Sequence, residues 1–422
     1  MPLTIGLLAE RPLGDSPCQY RGNLSPPLAE RRMDQPLRGR GNFDGCGAVN
    51  EAMNIPLTSA RGIAVHLGFE AAIGFVALLF ASLPAWAESG ETAQAPKEVR
   101  TAIIYDDLFL EHDTGPRFPE HPERLRWLIP HLKQHPVGGR LLWTAPSEKI
   151  DPMPWILSVH DAAYVADLKK ACEAGETRMQ GSSDTPISKR TYEVAVGAVA
   201  GSLTAVDLVM EGRVKNAFAA LRPPGHHAMP DKAKGFCFFS NAAIAARYAG
   251  KHHKLERVMI VDWDVHHGDG TQAVFLADPT VFFFSTHQYP FYPGPSGSPD
   301  ITGEGAGKGS NLNVLLAAGS GEEAVLNVFR NDLTEAFRKF KPQLLIISAG
   351  FDAHQDDPLG GLEWSSDVYA ELTGILRALC REQGHERIVS LLEGGYSERA
   401  MTEGVRRHVE ALESLEAPAG KP

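Results

Sequence analysis

The chain has 422 residues, of which 43% are hydrophobic and 22% charged, and a formal net charge of −11. Length and composition describe a globular protein with a large core, and the acidic balance excludes the basic footprint of a nucleic-acid-binding protein. The five cysteines, Cys18, Cys46, Cys172, Cys237 and Cys380, form no Cys-x-x-Cys pair, which excludes a zinc finger or a disulfide framework as the organising device.

Residues 1–52 are rich in Arg, Pro and Gly without hydrophobic periodicity, so they read as a disordered extension or as sequence upstream of the true start. Met53 offers that second start. Arg61, the apolar run Ala71–Leu83 and the small residues of Ala85-Trp86-Ala87 have the layout of a secretory signal peptide over 53–87. The apolar run is too short to span a bilayer comfortably. Cleavage after Ala87 predicts export to a bacterial periplasm, with no membrane span in the mature protein. The alternative is an N-terminal helix attached to a cytoplasmic enzyme. Residues 88–99 read as a linker and 100–415 as a single domain.

From Val99 the pattern becomes regular. Thr101–Tyr105 is a short strand, and His121-Pro122-Glu123-Arg124 opens a helix with proline near its first turn. Tyr192–Met210 is an Ala- and Val-rich buried helix, Asn216–Leu221 a strand and Asn241–Ala249 a helix. Strands follow at Val258–Val261, Val281–Phe284, Leu344–Ser348 and Ile388–Leu392, with helices at Glu322–Phe340 and Ser366–Arg381. Strands alternating with helices predict an α/β fold, one mostly parallel β-sheet with helices on both faces.

The polar clusters follow the strands. The strand from Asn216 runs into Arg222-Pro223-Pro224-Gly225-His226-His227, and that from Val258 into Asp262-Trp263-Asp264-Val265-His266-His267-Gly268-Asp269. Ser285-Thr286-His287, Gly350-Phe351-Asp352 and Glu393-Gly394-Gly395-Tyr396 end the next three. Ligands of open parallel sheets bind at this carboxyl edge. With strand alternation continued past Val261, Asp262, Asp264 and His266 share one face. Buried carboxylates beside an imidazole call for a cation. Asp264, His266 and Asp352 can supply three ligands to a catalytic zinc, which keeps a further position open. His226 and His227 offer a general base and a general acid, with Asp262 and Asp269 at hand to orient them. Tyr396, on its Gly-Gly loop, can donate a hydrogen bond to a developing oxyanion. The chemistry read from these residues is hydrolysis of an amide or ester.

The segments RPPGHHA, GFCFFSNAAIAA, DWDVHHGDGTQ, FFFSTHQ, SAGFDAH and LEGGY resemble the histone deacetylase superfamily, and RPPGHHA and LEGGY are similar to its class II branch. The resemblance runs from Thr101 to Leu412. It implies an arginase-like fold over 100–415, zinc at Asp264, His266 and Asp352, a catalytic pair His226 and His227 oriented by Asp262 and Asp269, and Tyr396 as the carbonyl-polarising residue. It also implies that Asp184 grips the substrate backbone at the rim. Gly235 and Phe236 would form one wall of an acyl-lysine tunnel, Phe291 or Tyr292 the other, with Gly394 and Gly395 contributing to substrate binding. Leu359 falls where some polyamine-preferring relatives carry an acidic gatekeeper, and its apolar side chain favours acyl-lysine. A structural potassium site is implied at Asp262, Asp264, His266, Ser285 and Thr286, largely through backbone carbonyls. The implied substrate is acetylated lysine in a protein or peptide, or an acetylated small amine.

The remaining polar groups take plainer readings. His252 and His253 are expected to be solvated at a basic helix end, His287 to be a hydrogen-bonded turn residue or else a group that supports a site residue from behind, and Cys237 a buried structural thiol. His112 and His121 shape the rim or the structure, and Asp356 and Asp357 form a turn. An acetylpolyamine amidohydrolase is the alternative substrate class. A non-catalytic binding module would need a lost ligand or a lost tyrosine, and none is lost. A binuclear manganese ureohydrolase would need additional aspartate ligands.

Overall fold

The computed structural model describes residues 99–179, 182 and 184–414. The expectations for 1–52, for the export segment 53–87 and for nearly all of the linker 88–99 lie outside these residues. Among the described residues, short apolar runs build one sheet from β1 (Thr101–Ile104), β2 (Leu142–Thr144), β3 (Asn216–Ala219), β4 (Val258–Asp262), β5 (Val281–Gln288), β6 (Asn311–Leu316), β7 (Leu344–Ala349) and β8 (Ile388–Leu392). The order is β2-β1-β3-β8-β7-β4-β5-β6, and every neighbouring pair is parallel. β3, β4, β5, β7 and β8 are buried along their whole length. Strands covered on both faces read as continuous rather than alternating apolar runs.

The helices are α1 (Glu123–Gln134), α2 (Met153–Ile156), α3 (Ala162–Ala174), α4 (Thr191–Met210), α5 (Asn241–His252) and α6 (Asp269–Phe275), followed by α7 (Glu322–Val328), α8 (Thr334–Phe340), α9 (Val368–Glu382) and α10 (Val405–Glu413). By length and apolarity α4 could cross a membrane. Here it is a core helix, packed on β1, β3, β8 and α5.

Several boundaries differ from the sequence reading for local reasons. β3 stops at Ala219 because the Leu221 amide folds back onto the Ala219 carbonyl (3.0 Å). The helix expected over 322–340 is broken by a π-helical turn at Phe329–Leu333, where Thr334 Oγ1 donates to the Phe329 carbonyl (2.8 Å). β6 escaped the apolar pattern because Asn311 and Asn313 point inward, donating to Gln272 Oε1 at 3.2 and 2.8 Å.

The strand order explains the site. β3, β8, β7, β4 and β5 are contiguous, so the segments leaving their carboxyl ends meet on one edge of the sheet.

Candidate active site

β4 ends at Asp262, and the chain then bends. Asp262 Oδ1 accepts from the Asp264 amide (3.1 Å), and Asp264 Oδ1 from the His266 amide (2.9 Å). These side-chain-to-backbone turns, not strand alternation, set the three residues. That corrects the expectation that they share a strand face: Asp262 turns to His226, while Asp264 and His266 turn to Asp352. His266 Nδ1 lies 3.0 Å from Asp264 Oδ1 and 3.2 Å from Asp352 Oδ2. Asp352 Oδ1 accepts from the Val265 amide (2.8 Å), which ties the β7 loop to the β4 loop.

The donor atoms of Asp264, His266 and Asp352 lie within 4.8 Å of one another. Burial, then the adjacent Asp264 charge, pushes the Asp352 carboxyl up to about 7. Two buried carboxylates and an imidazole aimed at one point fit a divalent cation, and their N and O donors suit zinc. The Gly394 amide donates to Asp264 Oδ2 (2.8 Å), and a Cβ at Gly394 would collide with Asp264 and Asp352 carboxylate oxygens, so only glycine fits there.

The histidine pair stands beside this cluster with rings 4.0 Å apart. His226 Nδ1 meets Asp262 Oδ2 at 3.1 Å, and His227 Nδ1 meets Asp269 Oδ1 at 2.9 Å. Burial opposes the charged form of His226, but the Asp264 and Asp262 carboxylates outweigh it and raise its pKa well above the ordinary histidine range. Burial lowers His227 to about 4, and the neighbouring His226 adds to the shift. Asp269 is held near 2: burial works against its ionised form, and His227 together with the ion-paired Lys234 outweighs that.

A cavity of about 470 Å³ opens onto this cluster. His227, His266 and Tyr396 line it, together with Gly235, Phe236, Phe291, Tyr292, Leu359, Gly360 and Gly361. Both aromatic candidates for the second wall are present: Phe291 stacks on His266 (5.3 Å between centroids), and Tyr292 donates its hydroxyl to Asp184 Oδ2 (2.8 Å) at the rim. Burial raises the Tyr396 phenol well above its ordinary value, so it stays protonated at neutral pH.

The residues assigned to potassium are adjacent. Asp262 pairs with Ser285 across β4 and β5, and Thr286 Oγ1 is buried without a hydrogen-bond partner. Cys237 is buried and donates to the Gly235 carbonyl (3.3 Å). His112 is a buried structural residue, its Nδ1 2.8 Å from Thr191 Oγ1. His287 is not in a turn. It lies in β5, which extends further than its apolar run, and is bonded to Ser285 Oγ (3.0 Å) and the Gly297 carbonyl (3.2 Å). His253 is not simply solvated either, for its Nε2 lies 2.8 Å from Asp207 Oδ1.

Three supporting residues were not legible as such. Glu393 Oε2 accepts from the amides of Gly225 (2.6 Å) and His226 (3.1 Å), and its Oε1 from Ser348 Oγ (3.0 Å), pinning the histidine turn. Arg124 donates to the Gly395 carbonyl (2.6 Å) and the Glu393 carbonyl (2.5 Å). Asp357 forms the expected turn through the Leu359 amide (2.9 Å) and also accepts from the Tyr396 amide (2.6 Å). A signal for Arg124 existed: it shares the buried face of α1 with Leu128 and Leu132, an arginine on an apolar stripe.

A family profile for the histone deacetylase domain matches residues 118–412. The chain is 38% identical over 318 residues to a histone deacetylase-like amidohydrolase of Pseudomonas aeruginosa, across 71% of this chain and 82% of the relative. It is 35% identical over 327 residues to the polyamine deacetylase HDAC10 of Homo sapiens, across 75% of this chain and 47% of that protein. The crystal structure of the HDA15 HD domain aligns with a TM-score of 0.69 at 33% identity, over 74% of this chain and 89% of that one.

Proposed function

The chain belongs to the histone deacetylase family, an amidohydrolase family, and we propose that it is a zinc-dependent enzyme removing acetyl or other acyl groups from the ε-amine of lysine in proteins or peptides. One observation carries the reading. The facing donors Asp264, His266 and Asp352 lie beside a cavity lined by His266 itself, by His227 and by Tyr396.

Zinc held by those three residues supplies Lewis acidity toward the amide carbonyl and toward water. The chain's own groups do the rest. His227 lines the cavity, and Asp269 holds its Nδ1, which leaves Nε2 to take the proton of the attacking water and return it to the departing amine. His226, tied to Asp262, lies behind it and balances the buried carboxylates. Tyr396 keeps its proton and donates a hydrogen bond to the carbonyl oxygen as that oxygen gains charge. Phe236 and Phe291 flank an apolar lysine stem, and Asp184 meets the peptide backbone at the rim. The products are acetate and a free amine. Asp262, Asp264, His266, Ser285 and Thr286 would hold a structural potassium ion, largely through backbone carbonyls.

A second reading, deacetylation of small polyamines, draws on the likeness to the polyamine deacetylase. Leu359 on the cavity wall argues against it, because an apolar side chain gives a second ammonium group no partner.

The test is acetate release from an acetyl-lysine peptide and from an acetylated polyamine, by wild type and Asp352→Ala, with metal content measured in parallel. Peptide turnover and the equivalent of zinc held at the active site should both vanish in the variant. Full zinc occupancy with normal turnover in Asp352→Ala would sink the assignment, and a preference for the polyamine would transfer it to the second reading.

A further inference from the structure

The carboxyl-terminal ends of α4 and α5 meet at the amino-terminal edge of the sheet, opposite the edge that carries the active site, since each helix leads back into the start of a strand. There Asp207 Oδ1 lies 2.8 Å from His253 Nε2 and accepts the Tyr248 hydroxyl at 2.7 Å. The His252 ring stacks on Tyr248, 4.7 Å between centroids, and meets the His253 ring at 4.9 Å. Donor atoms of Asp207, His252 and His253 lie within 4.8 Å of one another. Glu211, one helical turn beyond Asp207, lines the same cleft of about 640 Å³ as Asp207 and His252. Lys149 and Arg213 are the basic groups on that cleft.

We propose that Asp207, His252 and His253, with Glu211 within the cleft, form a second metal site that takes a divalent transition ion of the zinc class. The donor chemistry selects the ion: two imidazoles with a carboxylate suit zinc, nickel or copper, whereas magnesium and calcium prefer an all-oxygen set. The position favours a cation as well, because two helices present their carboxyl termini there, and the last-turn carbonyls carry partial negative charge. The half-exposed cleft leaves room for water to complete the coordination. An ion at this place clamps the end of α5 to α4, just ahead of the turn that enters β4. Its role is structural, and it is independent of the deacetylase assignment.

The probe is zinc itself. Full-length protein is dialysed against buffered zinc, and bound metal and thermal midpoint are measured for wild type, His252→Ala, His253→Gln and Asp352→Ala. Wild type should hold one equivalent more than His252→Ala or His253→Gln. Asp352→Ala should lose a different equivalent and still show a zinc-dependent rise in midpoint, which the two histidine variants should lack. His252 is exposed, so its removal leaves the fold intact and deacetylation unchanged once excess zinc is removed. The proposal is overturned if His252→Ala retains the wild-type zinc content and midpoint response, or if wild type binds no zinc beyond the equivalent lost in Asp352→Ala.

Discussion

The guanidinium of Arg124 sits 4.9 Å from the centre of the Tyr396 ring while donating to the carbonyls of Gly395 and Glu393 on the same loop. The first helix of the domain thus holds the loop that presents the phenol. Gly395 has φ +119°, a backbone conformation that glycine adopts without strain, and Arg124 braces the loop at that carbonyl.

Arg124→Ala should therefore damage turnover without touching substrate. It unmakes two buried hydrogen bonds and takes one of the arginine partners from the buried Glu120, a loss of about 3 kcal/mol in stability. Arg124→Lys keeps the charge but not the planar fork. It should recover the thermal midpoint more fully than kcat. Equal recovery of both would show that Arg124 acts on stability alone.

Tyr396→Phe removes only a hydroxyl. An oxyanion donor of this kind is worth about 10²–10³ in turnover, or roughly 3–4 kcal/mol. The loss should fall on kcat with KM and bound zinc little changed, because the bond strengthens most in the transition state. A Phe variant that keeps more than about half of wild-type kcat removes Tyr396 from the mechanism.

Acid stability should report Glu120. Burial alone would raise its carboxyl, but Arg222, at 2.6 and 2.8 Å, then His112 and Arg124, outweigh burial and hold it at about 2, below its ordinary 4.5. A depressed carboxylate stabilises the fold above its unfolded pKa, and that contribution is lost as pH falls through the folded value. The window runs from 4.5 down to about 2, and the amount at stake is about 3 kcal/mol. Urea unfolding of Glu120→Gln should give a lower plateau near neutrality and a flatter acid limb than wild type. Parallel acid limbs in the two proteins would contradict this.

Leu359 tests specificity. Leu359→Glu places a carboxylate on the cavity wall, where it meets a second ammonium group. The ratio of kcat/KM for an acetylated polyamine to that for an acetyl-lysine peptide should rise roughly tenfold, or about 1.4 kcal/mol. An unchanged ratio would mean that position 359 does not face the distal amine.

What could be read from the sequence was what is encoded locally. Apolar runs such as Val258–Val261 and Leu344–Ser348 mark buried parallel strands by themselves, and the clusters that follow them fall at strand ends by order along the chain. Asp264, His266, Asp352, the histidine pair and Tyr396 were legible for that reason, together with their likeness to a known family. Elements whose buried face is polar were not: β6 hides Asn311 and Asn313 in a hydrogen-bond network with Gln272 that no apolar pattern records.

Neighbouring residues were enough to establish the α/β class and to bring the polar clusters to the carboxyl edge of the sheet, because short-range periodicity and turn chemistry are local. The tertiary structure alone decided how those residues face one another. Asp264 and His266 converge through carboxylate-capped bends, not strand alternation. Arg124 reaches a carbonyl 271 residues away, Glu393 holds an amide 168 residues away, and His253 finds Asp207 across two helices. Contacts of that range depend on which strands become neighbours and on which polar groups, once buried, must find partners, and both are settled only when the sheet has assembled.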